Sequence, residues 1–266
     1  MMRGTVLNIG WARAASTAFR LNFLARHPDV LVVDRSQPES DGPGVRILRQ
    51  LKTSGDEDFA GEAAGLKTDW DAYARAHQDH LVCLSDEELS IGMPGGPSPV
   101  AIAARCGALF PDAKTLVVVR DQVEAVRSFY VLSQREGLGP RAPFAEWVER
   151  FFLAPGHGRG FSYLFTHAAT LGAYRSWQAA GDIFVLHYDR LRSDPNAAYR
   201  TVAQWLGVSE AACAGLSNER INESAREIAK DRPGPAYTPS LEAAVRGLFE
   251  QDNRRLADEF GVVLSA

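Results

Sequence analysis

Two arginines with hydroxyl-bearing neighbours are the residues of this chain best suited to chemistry on an anion. Arg13 lies in the stretch Gly10–Ala15, after the apolar run Thr5–Ile9 and just before Ser16 and Thr17. A strand that turns straight into a helix leaves unpaired backbone N–H groups at the helix start, and these with the dipole favour a phosphate-like group. The guanidinium of Arg13, the hydroxyls of Ser16 and Thr17 and the loop amides of Ala14 and Ala15 can converge on one such anion. The arrangement is also generic to the first strand and helix of an open α/β sheet, in which Arg13 is merely solvated. It is not a Walker A loop, since Ala14-Ala15-Ser16-Thr17 stands where Gly-Lys-Ser/Thr is required.

A second candidate pair lies in AKTLVVVRDQVEAVRSFYVLSQ. Thr115–Val119 reads as a buried strand with Arg120 at its carboxyl end, and a helix follows from about Asp121. Ser128 falls about two turns into that helix, on a face that can include the strand end, so Arg120 and Ser128 can share one anion. Read alone, Arg120 is equally a surface ion-pair residue. A third strand, Leu81–Leu84, runs into Ser85-Asp86-Glu87-Glu88. Ligands of open sheets gather at strand carboxyl ends, which makes Asp86 and Glu87 general-base candidates, with helix capping as the alternative. His77 and His80 have no third ligand nearby, so no metal is expected.

The elements that must position these groups follow from punctuation and period. A helix is expected from Thr17 to Arg26, stopping at His27-Pro28, and a strand at Val30–Val33. Asp34–Gly65 is polar and broken by Gly and Pro, so it reads as an irregular insertion, either a flap or a solvated excursion. Helices are expected at Pro99–Leu109, over Phe161–Ala180, and from Pro195, capped by Asp194, through Trp205 to a stop at Gly207. Gly137–Gly160 reads as a second irregular insertion holding a short helix, Phe144–Phe152, whose Phe144, Trp147, Phe151 and Phe152 either line a pocket or pack on the body. Ile183–Tyr188 is a further strand, and the last helix runs from Pro239 to Phe260. Strands alternating with helices give an α/β fold: one P-loop-like domain over residues 1–266, an open, mostly parallel sheet flanked by helices.

Composition narrows the function. With 45% hydrophobic residues in 266, the chain can build one large core, and a net charge of −4 argues against nucleic-acid binding. No apolar run is long enough to span a bilayer and the start lacks a secretory pattern. Cys83, Cys106 and Cys213 are scattered, as expected of core residues in a reducing cytoplasm.

Taken together and in order, three stretches resemble the sulfotransferases that use 3′-phosphoadenosine 5′-phosphosulfate (PAPS), in particular their carbohydrate and bacterial branches. IGWARAAST resembles the family's 5′-phosphosulfate loop, and VVVRDQVEAVRSFY its 3′-phosphate motif, with the Arg-to-Ser spacing of eight. VLHYDRLRSDPNAAYRTVAQWLGV resembles the passage that follows, and the later Asn222-Glu223-Ser224 and long helix also fit. The resemblance implies that Arg13, Ser16 and Thr17 with the loop amides grip the 5′-phosphosulfate, that Arg120 and Ser128 hold the 3′-phosphate, and that Tyr188 lies near the adenine or ribose. It implies sulfuryl transfer to a hydroxyl or amine of a small-molecule or carbohydrate acceptor, with Glu87 as base and Asp86 in reserve. Two departures stand out: Arg13-Ala14-Ala15 where the family generally has Lys and one or two glycines, and Gln122 where proline is frequent. The rival readings are a P-loop-type nucleotide or small-molecule kinase, which lacks its lysine here, and a non-catalytic nucleotide-binding module. The sulfotransferase assignment requires Arg13 and Arg120 to meet in one cleft.

Overall fold

The computed structural model describes residues 4–11, 13–34, 42–92, 95–137, 141–154, 161–216 and 235–264. Among these, five strands form one parallel sheet: β1 Thr5–Asn8, β2 Val30–Val33, β3 Leu81–Ser85, β4 Lys114–Val119 and β5 Ile183–His187, in the order β2-β3-β1-β4-β5. The central strands carry near-continuous apolar runs because both faces are covered, and Val6, Leu7, Leu84, Leu116, Val117 and Val118 are fully buried. Register fixes which carboxyl ends are neighbours. Asn8 pairs with Ser85 on one side and Leu116 on the other, and Val119 pairs with His187. The segments after β1, β3, β4 and β5 therefore emerge side by side.

The helices are α1 Ser16–Phe19, α2 Pro43–Thr53, α3 Asp56–Ala76, α4 Glu88–Ile91, α5 Pro99–Leu109, α6 Gln122–Glu136, α7 Phe144–Val148, α8 His167–Arg175, α9 Tyr188–Ser193, α10 Pro195–Leu206 and α11 Pro239–Phe260. α5 and α11 start and stop where the sequence places them. α10 does so too: Asp194 Oδ1 accepts from the Ala197 amide at 2.9 Å at its start, and Gly207, left-handed at φ 75°, ends it. α1 continues as a π-helical turn, Arg20–Leu24, in place of a plain helix to Arg26. The larger correction concerns the first insertion: from residue 43 to residue 65 it is helical, comprising α2 and the first half of α3, not irregular chain. α2 buries Ile47, Leu48 and Leu51 along one stripe, and α3 opens with Asp56, Glu57 and Asp58, which suit the positive end of the dipole. Gly61 and Gly65 interrupt the pattern of α3 without breaking it, because both face open space. In the second insertion, α7 and the π-helical turn Glu149–Leu153 pack Phe144, Trp147 and Phe152 against Phe129, Phe165 and Phe249, so this segment is a helix on the body. Asn222-Glu223-Ser224 lies outside the described residues.

Two local features hold the site in shape. The first is ionic: Lys52 Nζ on α2 reaches Asp86 Oδ2 at 2.5 Å and Glu88 Oε2 at 2.6 Å, with the Asp86 side chain only 2% exposed. The second is in the backbone between β1 and α1. Arg13 (φ 64°) and Ala15 (φ 63°) are both left-handed, a conformation costing an L-residue roughly 1–2 kcal/mol. The missing glycines therefore do not stop the loop from turning; they leave it strained. Replacing Lys52 by Met should destabilise the protein by about 3–5 kcal/mol, since Asp86 would be left charged and buried; a denaturant-derived loss below about 1 kcal/mol would contradict this. Ala15→Gly should do the reverse, adding about 1 kcal/mol by relieving the positive φ. Urea unfolding of the two proteins side by side measures it, and an unchanged or lower midpoint would show that the loop is not strained at this position.

Candidate active site

The site grows from the carboxyl end of β1. Gly10 takes a positive φ (31°), and a Cβ there would lie 2.8 Å from Ser16 Cβ, so the turn closes tightly on the start of α1. Trp11, fully buried, pins the turn to the body: its indole N–H donates to the Leu164 carbonyl, and its ring meets His167 edge-on at 4.5 Å. Burial pushes the His167 imidazole down to about 3, so it packs as a neutral ring. From the other side Ser90 Oγ donates to the Gly10 carbonyl at 2.6 Å. Ser16 is the first residue of α1. Ala15 occupies the cap position, and Ser16 Oγ lies 3.3 Å from both the Trp11 carbonyl and Glu87 Oε2.

The two candidate stretches meet directly. Arg13 Nε donates to Ser128 Oγ at 2.8 Å, and Arg120 Nη1 donates to the Arg13 carbonyl at 3.1 Å. Each arginine thus touches the other's segment. Ser128 reaches Arg13 from within α6, whose first turn is capped by Asp121 Oδ1 accepting from the Glu124 amide at 3.1 Å. Arg120 also lies over the Tyr188 ring, 4.6 Å from its centroid, with Arg192 over the same ring at 5.7 Å. Tyr188 itself is the first residue of α9, since the β5 strand ends one residue earlier, at His187. Gln122, in the frequent proline position, is buried and exchanges amide hydrogen bonds with Asn253 of α11, one of them at 3.1 Å. It ties the start of α6 to the last helix.

On the other side of the loop a polar cleft opens between β1, β2 and β3, bordered by Asn8, Gly10, Ser16, Thr17, Arg20, Asp34, Ser85, Asp86 and Glu87. The two carboxylates differ in what they touch. Asp86 Oδ2 is held by Lys52, and Asp86 Oδ1 accepts from the Glu88 amide at 2.9 Å, so it serves the start of α4. Glu87 is less buried and approaches the Ser16 hydroxyl. Arg20 and Asp34 form an ion pair across the mouth, and Asn8 Nδ2 donates to Ser85 Oγ at 2.8 Å. Lys52, Arg20, Asp34 and Asn8 escape a motif reading because their roles depend on strand order, which local sequence does not specify. Among the described residues, no group of three or more His, Cys, Asp or Glu side chains is arranged to hold a metal ion. No helix among them is long and apolar enough to cross a membrane. All three cysteines are buried and unpaired, and burial pushes the Cys83 and Cys106 thiols up to about 12.

The fold is shared with solved structures. The crystal structure of a sulfotransferase from Alicyclobacillus acidocaldarius matches 99% of this chain and 98% of its own at 19% identity, with a TM-score of 0.63. That of the mouse sulfotransferase SULT7A1 complexed with PAP matches 96% of this chain and 86% of its own at 12% identity, with a TM-score of 0.51. Neither a family model nor a curated protein matches the chain. Across nearly its whole length, and with its parallel sheet flanked by helices, the chain has the fold of the sulfotransferases.

Proposed function

We propose that the protein is a sulfotransferase that moves the sulfuryl group of PAPS to a hydroxyl or amine of a small-molecule or carbohydrate acceptor. The observation that carries this reading is the meeting of Arg13, Arg120 and Ser128 at the carboxyl edge of the sheet. A bisphosphorylated nucleotide needs two neighbouring anion sites, and the direct contact between the Arg13 turn and the Arg120/Ser128 segment supports this reading. In this reading the amides of Ala14 and Ala15, the Ser16 and Thr17 hydroxyls and Arg13 hold the 5′ end. Arg120 and Ser128 hold the 3′-phosphate, and Tyr188 lies beside the nucleoside. PAPS, when bound, supplies an activated sulfuryl group on a phosphate leaving group.

The chain's own residues then have three tasks. Arg13 neutralises negative charge gathering on the leaving phosphate, the kind of fixed electrostatic stabilisation that dominates group transfer. Glu87 takes the proton of the acceptor hydroxyl or amine as its oxygen or nitrogen bonds to sulfur and the sulfur–oxygen bond to the leaving phosphate breaks. It is preferred over Asp86 because Lys52 and the Glu88 amide already engage the Asp86 carboxylate. The cleft beyond Glu87, with Asn8, Arg20, Asp34 and Ser85, presents hydrogen-bonding groups suited to a hydroxylated acceptor. A sulfate-transfer assay over an acceptor panel that spans sugars, amines and phenols tests the reaction class, and absence of transfer to all of them would refute it. Arg13→Ala should abolish transfer while the protein stays folded by circular dichroism; unchanged turnover would take Arg13 out of the chemistry. Glu87→Gln should lower the transfer rate by about 10²–10⁴-fold, the usual worth of a positioned base, while calorimetric affinity for adenosine 3′,5′-bisphosphate stays within about twofold. Full activity in that variant would assign the proton to another group.

A further inference from the structure

The guanidinium of Arg120 already holds an anion, and that anion belongs to the protein. Its Nε and Nη2, the edge that offers two parallel N–H groups to a phosphate, both donate to a single oxygen of Glu124, Oε2, at 3.1 and 2.8 Å. Its remaining terminal nitrogen, Nη1, goes to the Arg13 carbonyl, and its plane lies over Tyr188. Glu124 sits one turn along α6 from Arg120, and its side chain is 32% exposed, against 17% for Arg120. The carboxylate is therefore within reach of solvent and of an incoming ligand, while the guanidinium it covers is largely enclosed. Burial alone would raise the Glu124 carboxyl, but the hydrogen bond and charge of Arg120, with the charges of Arg192 and Arg127, hold it below the usual carboxylate range. It stays charged at neutral pH.

We propose that Glu124 occupies the 3′-phosphate position of Arg120 as an internal counter-anion, so that a 3′-phosphorylated nucleotide binds by displacing it. This rests on the reading of Arg120 and Ser128 as the 3′-phosphate subsite. Glu124 is then the residue that sets how tightly the 3′-phosphate is held, because ligand and carboxylate compete for the same two N–H groups. A nucleotide with a free 3′-hydroxyl has no claim on that edge and leaves the pair intact. The competition keeps the hold on the bisphosphate product loose, which favours its release after transfer.

Titration calorimetry on the full chain tests this with two probes, adenosine 3′,5′-bisphosphate and adenosine 5′-phosphate. Glu124→Gln and Glu124→Ala should each bind the bisphosphate about threefold to tenfold more tightly than the unsubstituted protein, the range expected for freeing one partly exposed ion pair. Adenosine 5′-phosphate should bind all three within about twofold. Asp189→Asn, which removes a nearby carboxylate that pairs with Arg192 at 3.0 Å, serves as the control for bulk charge and should give a clearly smaller gain. Unchanged or weaker bisphosphate binding in both Glu124 variants would overturn the proposal and make Glu124 a support that orients Arg120. An equal gain for both nucleotides, or an equal gain in Asp189→Asn, would overturn it too. The subsite assignment fails separately: in that case the unsubstituted protein and an Arg120→Ala variant bind the two nucleotides without distinction, or bind neither.

Discussion

The site depends on the crossing of two arginine contacts, Arg13 Nε to Ser128 Oγ and Arg120 Nη1 to the Arg13 carbonyl. These bonds join the turn after β1 to the strand–helix junction after β4, which lie more than a hundred residues apart in sequence but side by side in the sheet. Without the parallel register that brings Asn8 opposite Leu116, neither contact could form. The backbone accepts a left-handed Arg13 and a left-handed Ala15 to complete the crossing. Such strain persists only where surrounding structure over-determines it, and here Trp11 and Ser90 clamp the turn from two sides.

Behind this crossing, the helices act as braces. α11 steadies α6 through Asn253 and Gln122, with Arg246 Nη1 lying 3.4 Å from Asp121 Oδ2. It also steadies α8, where Asp252 accepts from the Ala168 and Ala169 amides, each at 3.1 Å. α8 in turn carries His167 against Trp11 and sends the Tyr174 hydroxyl to the Leu89 carbonyl at 2.9 Å, beneath the segment that holds Glu87. On the opposite flank, α2 delivers Lys52 to Asp86 and Glu88. The buried Arg105 of α5 closes off the end of α2 by donating to the Leu51 and Ser54 carbonyls. The candidate chemistry is thus carried by a few partly or fully buried polar groups set on a mostly apolar frame.

Much of this frame is legible in the chain itself. β-branched apolar runs mark β2 and β4, and Ser98-Pro99, Asp194-Pro195 and Thr238-Pro239 mark three helix starts, because strand burial and capping leave local signatures. The candidate arginines are legible for a similar reason, since Arg13 stands in the turn between β1 and α1 and Arg120 directly after β4. The helical character of residues 43–65 is not, because glycines on the exposed face of a helix look like loop punctuation until it is known which face is buried. Neither are Lys52 and Glu124. Lysine and glutamate look like ordinary surface charge in sequence, and only strand order and side-chain direction reveal that one neutralises Asp86 and the other covers Arg120.

The account stands on one nucleotide spanning both arginine stretches. A crystal structure of the complex with adenosine 3′,5′-bisphosphate tests that most directly. It should show the 5′-phosphate against residues 13–17 and the 3′-phosphate on Arg120 and Ser128. A nucleotide bound with only one phosphate at these residues, or bound elsewhere on the molecule, would contradict it.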